Sequence, residues 1–163
     1  MVFESVVEFL KNLDPSVYSA LASLTPLGEL RAGIPIALAS GHRLWDAFWL
    51  CTIANMLVIP IAFFFFDKFH NYFIRFKRYE RLFERYVTKV RKKGEKWVEK
   101  YGAPGLILFV AIPIPGSGAY TGCLAAWIFN VNRKHAYISI MVGVTIAGLL
   151  VTAIAAGIVK GLF

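Results

Sequence analysis

The sequence predicts an all-α integral membrane protein: an inverted repeat of re-entrant helical hairpin plus transmembrane helix, its halves joined by a basic amphipathic helix. Three observations predict it. First, hydrophobic residues make up 58% and charged residues 17% of the 163 positions, with a mean hydropathy of +0.60; a soluble domain carries about 25% charged residues. Second, two apolar stretches contain helix breakers, Thr25-Pro-Leu-Gly-Glu-Leu-Arg-Ala-Gly-Ile-Pro35 and Phe109-Val-Ala-Ile-Pro-Ile-Pro-Gly-Ser-Gly-Ala-Tyr-Thr-Gly122. Proline removes a helix hydrogen bond and clashes with the preceding turn, and prolines paired with glycines break a helix rather than bend it. Lipid cannot satisfy the freed backbone groups, so such a break must face protein or water. Third, twelve of the eighteen Lys and Arg residues fall in one block, 67–101, between apolar segments. The positive-inside rule puts that block in the cytoplasm, and it explains the net charge of +8 more simply than nucleic-acid binding does. A single membrane domain over 1–163 is expected, multi-pass, in the plasma membrane of a prokaryote.

Residues 2–13 space Phe3, Val6, Val7, Leu10 and Leu13 as one helix face, which suits an interfacial helix or a cap on the bundle. The first twenty residues carry Glu4, Glu8 and Asp14 against Lys11, the wrong balance for a secretory leader. Asp14-Pro15 reads as an N-cap followed by a first-turn proline, and Thr25-Pro26 repeats that signal. The two arms of 15–40 are each about 10–15 residues long, and crossing needs about 20. A hairpin that enters and leaves by one face is therefore favoured, with a single kinked span over 16–39 as the alternative. Residues 44–66 read as a spanning helix with Trp45 and Trp49 at one interface.

Across 67–101, Tyr72, Phe76, Tyr79, Phe83, Tyr86, Val90 and Trp97 step by fours and threes, an aromatic stripe on a basic helix that Gly94 interrupts. That pattern suits an anionic lipid surface, with a dimerising coiled coil as runner-up. Residues 102–129 form the second broken segment and 136–160 a second span. If 102–129 crossed, Arg133 and Lys134 would lie outside; a hairpin returns them to the cytoplasm, as the charge rule prefers. Hairpin, span, basic helix, hairpin, span is then an inverted repeat, whose site is expected where the discontinuous helices meet inside the membrane.

The candidate substrate-binding residues follow from the breaks. Helix starts near Thr25 and Gly28, and near Gly116, Ser117 and Gly118, present unpaired N–H groups and a partial positive charge. Arg31 is the only cation in either hairpin, and Tyr120 and Thr121 add hydroxyls beside Ser117. A phosphate head group is the natural guest. Glu29 is the candidate proton carrier, because burial disfavours a charged carboxyl. Glu29 and Arg31, two positions apart, are expected to face different partners. The bland alternative is that these polar groups only satisfy freed backbone at the breaks, which Pro26, Pro35, Pro113 and Pro115 mark. Cys51 and Cys123 lack metal spacing and read as small core residues, so no metal or other cofactor is expected. No Ser-His-Asp set exists and His42, His70 and His135 lie outside the breaks, so the chain does not read as an enzyme.

Pro26-Leu-Gly-Glu-Leu-Arg-Ala-Gly-Ile-Pro35 resembles the E-L-R-x-x-I-P motif of the small multidrug export proteins, and Val110 to Gly122 looks like that family's second signature. The family is similar to the DedA or VTT superfamily, whose members have two facing re-entrant hairpins. Several are lipid transporters: bacterial ones recycle polyprenyl-phosphate carriers, and eukaryotic relatives scramble phospholipids. The resemblance implies a translocase that flips or scrambles a phosphate-headed lipid. One departure stands out. DedA proteins usually carry arginines in or beside the second hairpin, whereas Gly102 to Asn132 holds no charged residue. The competing readings are a proton-coupled exporter of small cations using Glu29, and a non-transporting scaffold acting through 67–101. Membrane lipids are the expected partners and a homodimer is plausible for so small a bundle.

Overall fold

A computed structural model describes residues 14–26, 28–112 and 117–162. The regular structure among them is all helical. The expected interfacial helix over 2–13, and with it Pro113, Pro115 and Gly116, lies outside the described residues. The chain divides into two compact units, Met1–Asn55 with Gly148–Phe163, and Met56–Ala147.

In the first unit, helix α1 (Pro15–Leu24) begins as its cap signal predicts: the Asp14 carboxylate accepts from the Ser16 amide at 2.8 Å and Pro15 occupies the first turn. The second cap signal fails. Thr25-Pro26 does not start a helix; α2 runs Glu29–Ala39. The reason is that Thr25 is committed to ending α1. Both its amide and its hydroxyl donate to the Ala22 carbonyl, at 3.2 and 2.8 Å, and the same hydroxyl accepts from the Gly28 amide at 3.1 Å. Pro35 is likewise not a break but lies inside α2, which continues to Ala39.

α1 and α2 form a tight antiparallel pair. Gly33 lies against Ser19 and Ser23, so close that a Cβ there would collide with the Ser23 hydroxyl. Both serines are fully buried and bend their hydroxyls back to the carbonyls of Pro15 and Ser19, the device by which small polar residues let helices approach in lipid. The open end is pinned where Ser16 Oγ meets His42 Nε2 at 3.0 Å. With His42 Nδ1–H donating to the Ala37 carbonyl, Nε2 is the acceptor. Gly41, at φ 89, turns the chain into α3 (Leu44–Phe64). α3 meets the last helix, α8 (Arg133–Leu162), where Gly148 lies against Thr52 and Phe48.

In the second unit α3 widens into a π-helical turn, Phe65–Phe69, and the chain passes through α4 (His70–Phe73) to α5 (Lys77–Gly94). The expected single helix over 67–101 is thus interrupted at 74–76. Gly94 ends α5 without breaking the path: a second π-helical turn, Glu95–Glu99, follows it. The real reversal is at Gly102, whose φ of 60 suits only a residue without a Cβ. Beyond it α6 (Lys100–Ala111) doubles back, with Gly105 pressed on the Trp97 carbonyl. After the break comes α7 (Ala119–Ile128), which packs Gly122 on Val110 of α6. α8 then starts at Arg133, whose guanidinium grips both carboxylate oxygens of Asp67 at 2.7 and 3.0 Å and covers the Phe63 ring. Asp67 ends the first long apolar segment, so the chain between 67 and 133 leaves and returns at one end of it. Leu44–Phe69 and Arg133–Ile158 are the described helices long and apolar enough to cross a membrane.

The two halves share a register. Pro15 and Pro104, Pro26 and Pro115, and Gly33 and Gly122 stand 89 residues apart. So do the left-handed residues Gly41 and Asn130, and the first residues of the long helices, Leu44 and Arg133. Each left-handed residue is followed by the same backbone bond, His42 N to Ala37 O and Val131 N to Ala126 O, the terminus expected after such a residue.

Glycine-to-alanine changes separate contact from propensity. In an open helix the change stabilises by about 0.5–1 kcal/mol, which is the expectation for Gly157→Ala, where nothing lies within 4 Å. Gly105→Ala should instead lose about 1–3 kcal/mol, because the obstacle is backbone. Thermal melting of the two variants in detergent checks the opposite signs.

Candidate functional site

The first hairpin brings Thr25, Gly28, Glu29 and Arg31 to one turn. Glu29 is buried, at 9% exposure, and its φ is 46. A left-handed backbone is uncommon for a residue with a side chain and persists only where surroundings hold it. Here α1 holds it, through the Glu29 amide on the Thr25 carbonyl at 3.0 Å. Arg31 is half-buried and within electrostatic reach of Glu29. The expectation that the two charges face different partners rests on the spacing of a regular helix, from which the left-handed Glu29 departs. Deeper in this unit, Thr52 and Asn55 of α3 are fully buried, and Thr52 Oγ1 and Asn55 Oδ1 have no partner among the described residues. Asn55 lies midway along Leu44–Phe69, where a buried polar acceptor is expensive.

In the second hairpin the hydroxyls named from sequence do local work. Ser117 donates to the Ile112 carbonyl at 2.6 Å, bridging the break, and Thr121 donates to the Gly118 carbonyl at 3.1 Å. With Thr25 on Ala22, all three hydroxyls donate to backbone carbonyls, and the Gly118 carbonyl accepts from the Gly122 amide as well, at 2.7 Å. Tyr120 lies half-buried on α7 beside them.

The charge that this hairpin lacks comes from elsewhere. Because the chain reverses at Gly102, the end of α5 and the following π-helical turn lie along α6. Lys92 and Lys93, adjacent in the chain and each about one helical turn before Lys96, line with it a cleft of about 460 Å³ together with Trp97, Phe109, Ile112 and Ser117. Sequence reasoning missed these lysines as site residues. Their clustering was readable from the sequence, but nothing local brings them beside Ser117.

α5 is held on α7 by aromatic packing around His70. The imidazole lies 4.3 Å from the Phe83 ring and 5.2 Å from Trp127, centre to centre, with Nδ1 3.3 Å from the Tyr79 hydroxyl. Of the predicted stripe, Tyr79, Phe83 and Val90 pack inward, while Tyr72, Phe76 and Tyr86 are exposed. The reason is the turn at 74–76, which takes Tyr72 off the face that α5 presents.

The sequence pattern of one family, described as "Putative small multi-drug export protein", matches residues 29–150. The chain belongs to that family. The match begins at Glu29 and takes in α2, α3, the basic helix, the second hairpin and the first half of α8. No curated protein and no solved structure matches the chain. Membership in the export family and the two long apolar helices point to a membrane protein engaged in transport.

Burial among the rings lowers the His70 pKa from its usual 6.5. The unfolded chain therefore binds the extra proton more readily. The stability tied to neutral His70 is complete above about pH 6.5 and is lost as pH falls toward the folded-state value. Melting temperature should drop between pH 7.5 and 5, and His70→Gln should flatten that slope. An unchanged slope in the variant would assign it to other groups.

Proposed function

We propose that this export-family protein translocates phosphate-headed lipids, such as a polyprenyl phosphate or a phospholipid, across a prokaryotic plasma membrane, with 67–101 cytoplasmic. The observation that carries the reading is the Arg133–Asp67 clasp. It brings the chain back to the end of the long helix it left, so the second hairpin has no net crossing to make. Helices of ten and eleven residues, about 15 Å each, fit re-entrant arms better than spans of a hydrocarbon layer about 30 Å thick. The shared register and the antiparallel pairing of α3 with α8 support an inverted repeat, as the resemblance to DedA proteins suggests. Helix starts at Gly28–Glu29 and Gly118–Ala119 then open part-way into the membrane, where Arg31 offers the first a full positive charge. The buried acceptors on α3 fit a path that carries polar groups. No step forms or breaks a covalent bond.

Arg31→Ala is expected to slow flipping of a fluorescent phosphatidic acid in liposomes by about tenfold, the scale of one lost charge-assisted contact. Unchanged flipping would remove Arg31 from the path. Cysteines placed at 92 and 133, in a chain lacking Cys51 and Cys123, should react with an impermeant reagent from the same side. Reaction from opposite sides would end the re-entrant reading.

A second reading is favoured by one observation: Glu29 is buried on a strained backbone at a hairpin turn, as a proton carrier for export of small cations would be. It predicts resistance to cationic drugs that disappears in Glu29→Gln while expression is unchanged. No resistance in cells expressing the native chain would dispose of it.

A further inference from the structure

The lysine-lined cleft offers chemistry that neither hairpin supplies alone. We propose that it is a loading site for one anionic lipid, whose phosphate head lies among Lys92, Lys93 and Lys96 and whose first methylenes lie on Trp97, Phe109 and Ile112. The inference rests on the transport reading for the class of ligand and adds where the head group is first held.

Three features of the cleft select this ligand. The first is charge: three lysines line the cleft, and no carboxylate is among its described lining. A dianionic phosphate monoester is matched and a small cation repelled. Lysines suit the task because an ammonium is a flexible point charge that needs no fixed fork geometry. The second is amphipathicity. Phe109 is buried, Ile112 half-buried, and Trp97 lies open at the rim. A free phosphate ion would leave that floor unused, whereas a lipid covers it. The third is size: about 460 Å³ is the scale of a head group with the start of its chains.

The repeat gives the position meaning. Ser117, at the inner end of the cleft, occupies the place that Gly28 holds in the first half. Arg31, three residues on, has Tyr120 as its counterpart, so α7 carries no cation at the matching place. The lysines restore positive charge at the corresponding break from a different helix. Ser117 itself is a positioning residue. Its proton is spent on Ile112, so it keeps the break closed under the cleft rather than donating to phosphate.

The test uses the full chain in neutral detergent and a fluorescent short-chain phosphatidic acid as probe. Lys92→Gln, Lys93→Gln and Lys96→Gln combined should weaken binding by about tenfold or more. The same loss of charge at Lys77, Arg78 and Arg81, on α5 but outside the cleft lining, should leave it nearly unchanged. Arginine at all three cleft positions should retain binding, which controls for folding. Ile112→Ser should weaken the lipid and not inorganic phosphate. Phosphatidylcholine and dodecyltrimethylammonium should not compete. Equal weakening by the two triple glutamine variants would reduce the effect to surface charge and overturn the site. Competition by inorganic phosphate as strong as by lipid would overturn the lipid assignment. Tight, lysine-dependent binding by a protein that flips no lipid would sink the transport reading and leave the cleft standing.

Discussion

A helix of ten residues is about 15 Å long, and hydrocarbon is about 30 Å thick. In the re-entrant arrangement we propose, that mismatch governs each half of this molecule. An arm that short must turn back, and the turn must satisfy its own backbone, because lipid offers neither donors nor acceptors. The polar residues at the two breaks answer that demand first. Thr25 closes α1, and Ser117 donates to the Ile112 carbonyl across the second break. Backbone repair is why hydroxyls that look like ligands are engaged with carbonyls.

Close packing through glycines, beside the buried Ile34, Leu106 and Leu124, is the second consequence. Short arms bury little surface, so contact must be intimate to hold them together. Gly33 on Ser19 and Ser23, Gly105 on the Trp97 carbonyl, and Gly122 on Val110 are the closest approaches within their units. Dispersion between well-fitted surfaces, rather than exclusion of water, holds helices in lipid. The common register shows the same solution used twice: a proline opening the first arm, a glycine in the second arm, a left-handed residue, and then the long helix.

Charge is distributed differently from packing. The first half keeps its cation and acid inside the hairpin, as Arg31 beside Glu29. The second half keeps its hairpin neutral, and its nearest lysines come from the end of α5 and the π-helical turn after it. A neutral hairpin is cheaper to bury, and lysines on an amphipathic helix can remain near water. The aromatic packing of His70, Phe83 and Trp127 fixes that helix to α7, so the position of the lysines depends on uncharged contacts.

Local covalent constraint was enough for the sequence to determine the two long apolar helices, the cap at Asp14 and the all-helical class, because proline, glycine and hydropathy act within a few residues. The same local reasoning misjudged Thr25-Pro26 and Pro35. A cap signal and a chain terminator use the same atoms, and only the partner helix decides which is formed. The motif around Glu29 and Arg31 was legible; the left-handed backbone of Glu29 was not, because no propensity favours it. The lysine cleft was the least legible. It joins residues 92–97 to residues 109–117 through a reversal at Gly102, and contacts between distant positions exist only once the tertiary fold has brought them together.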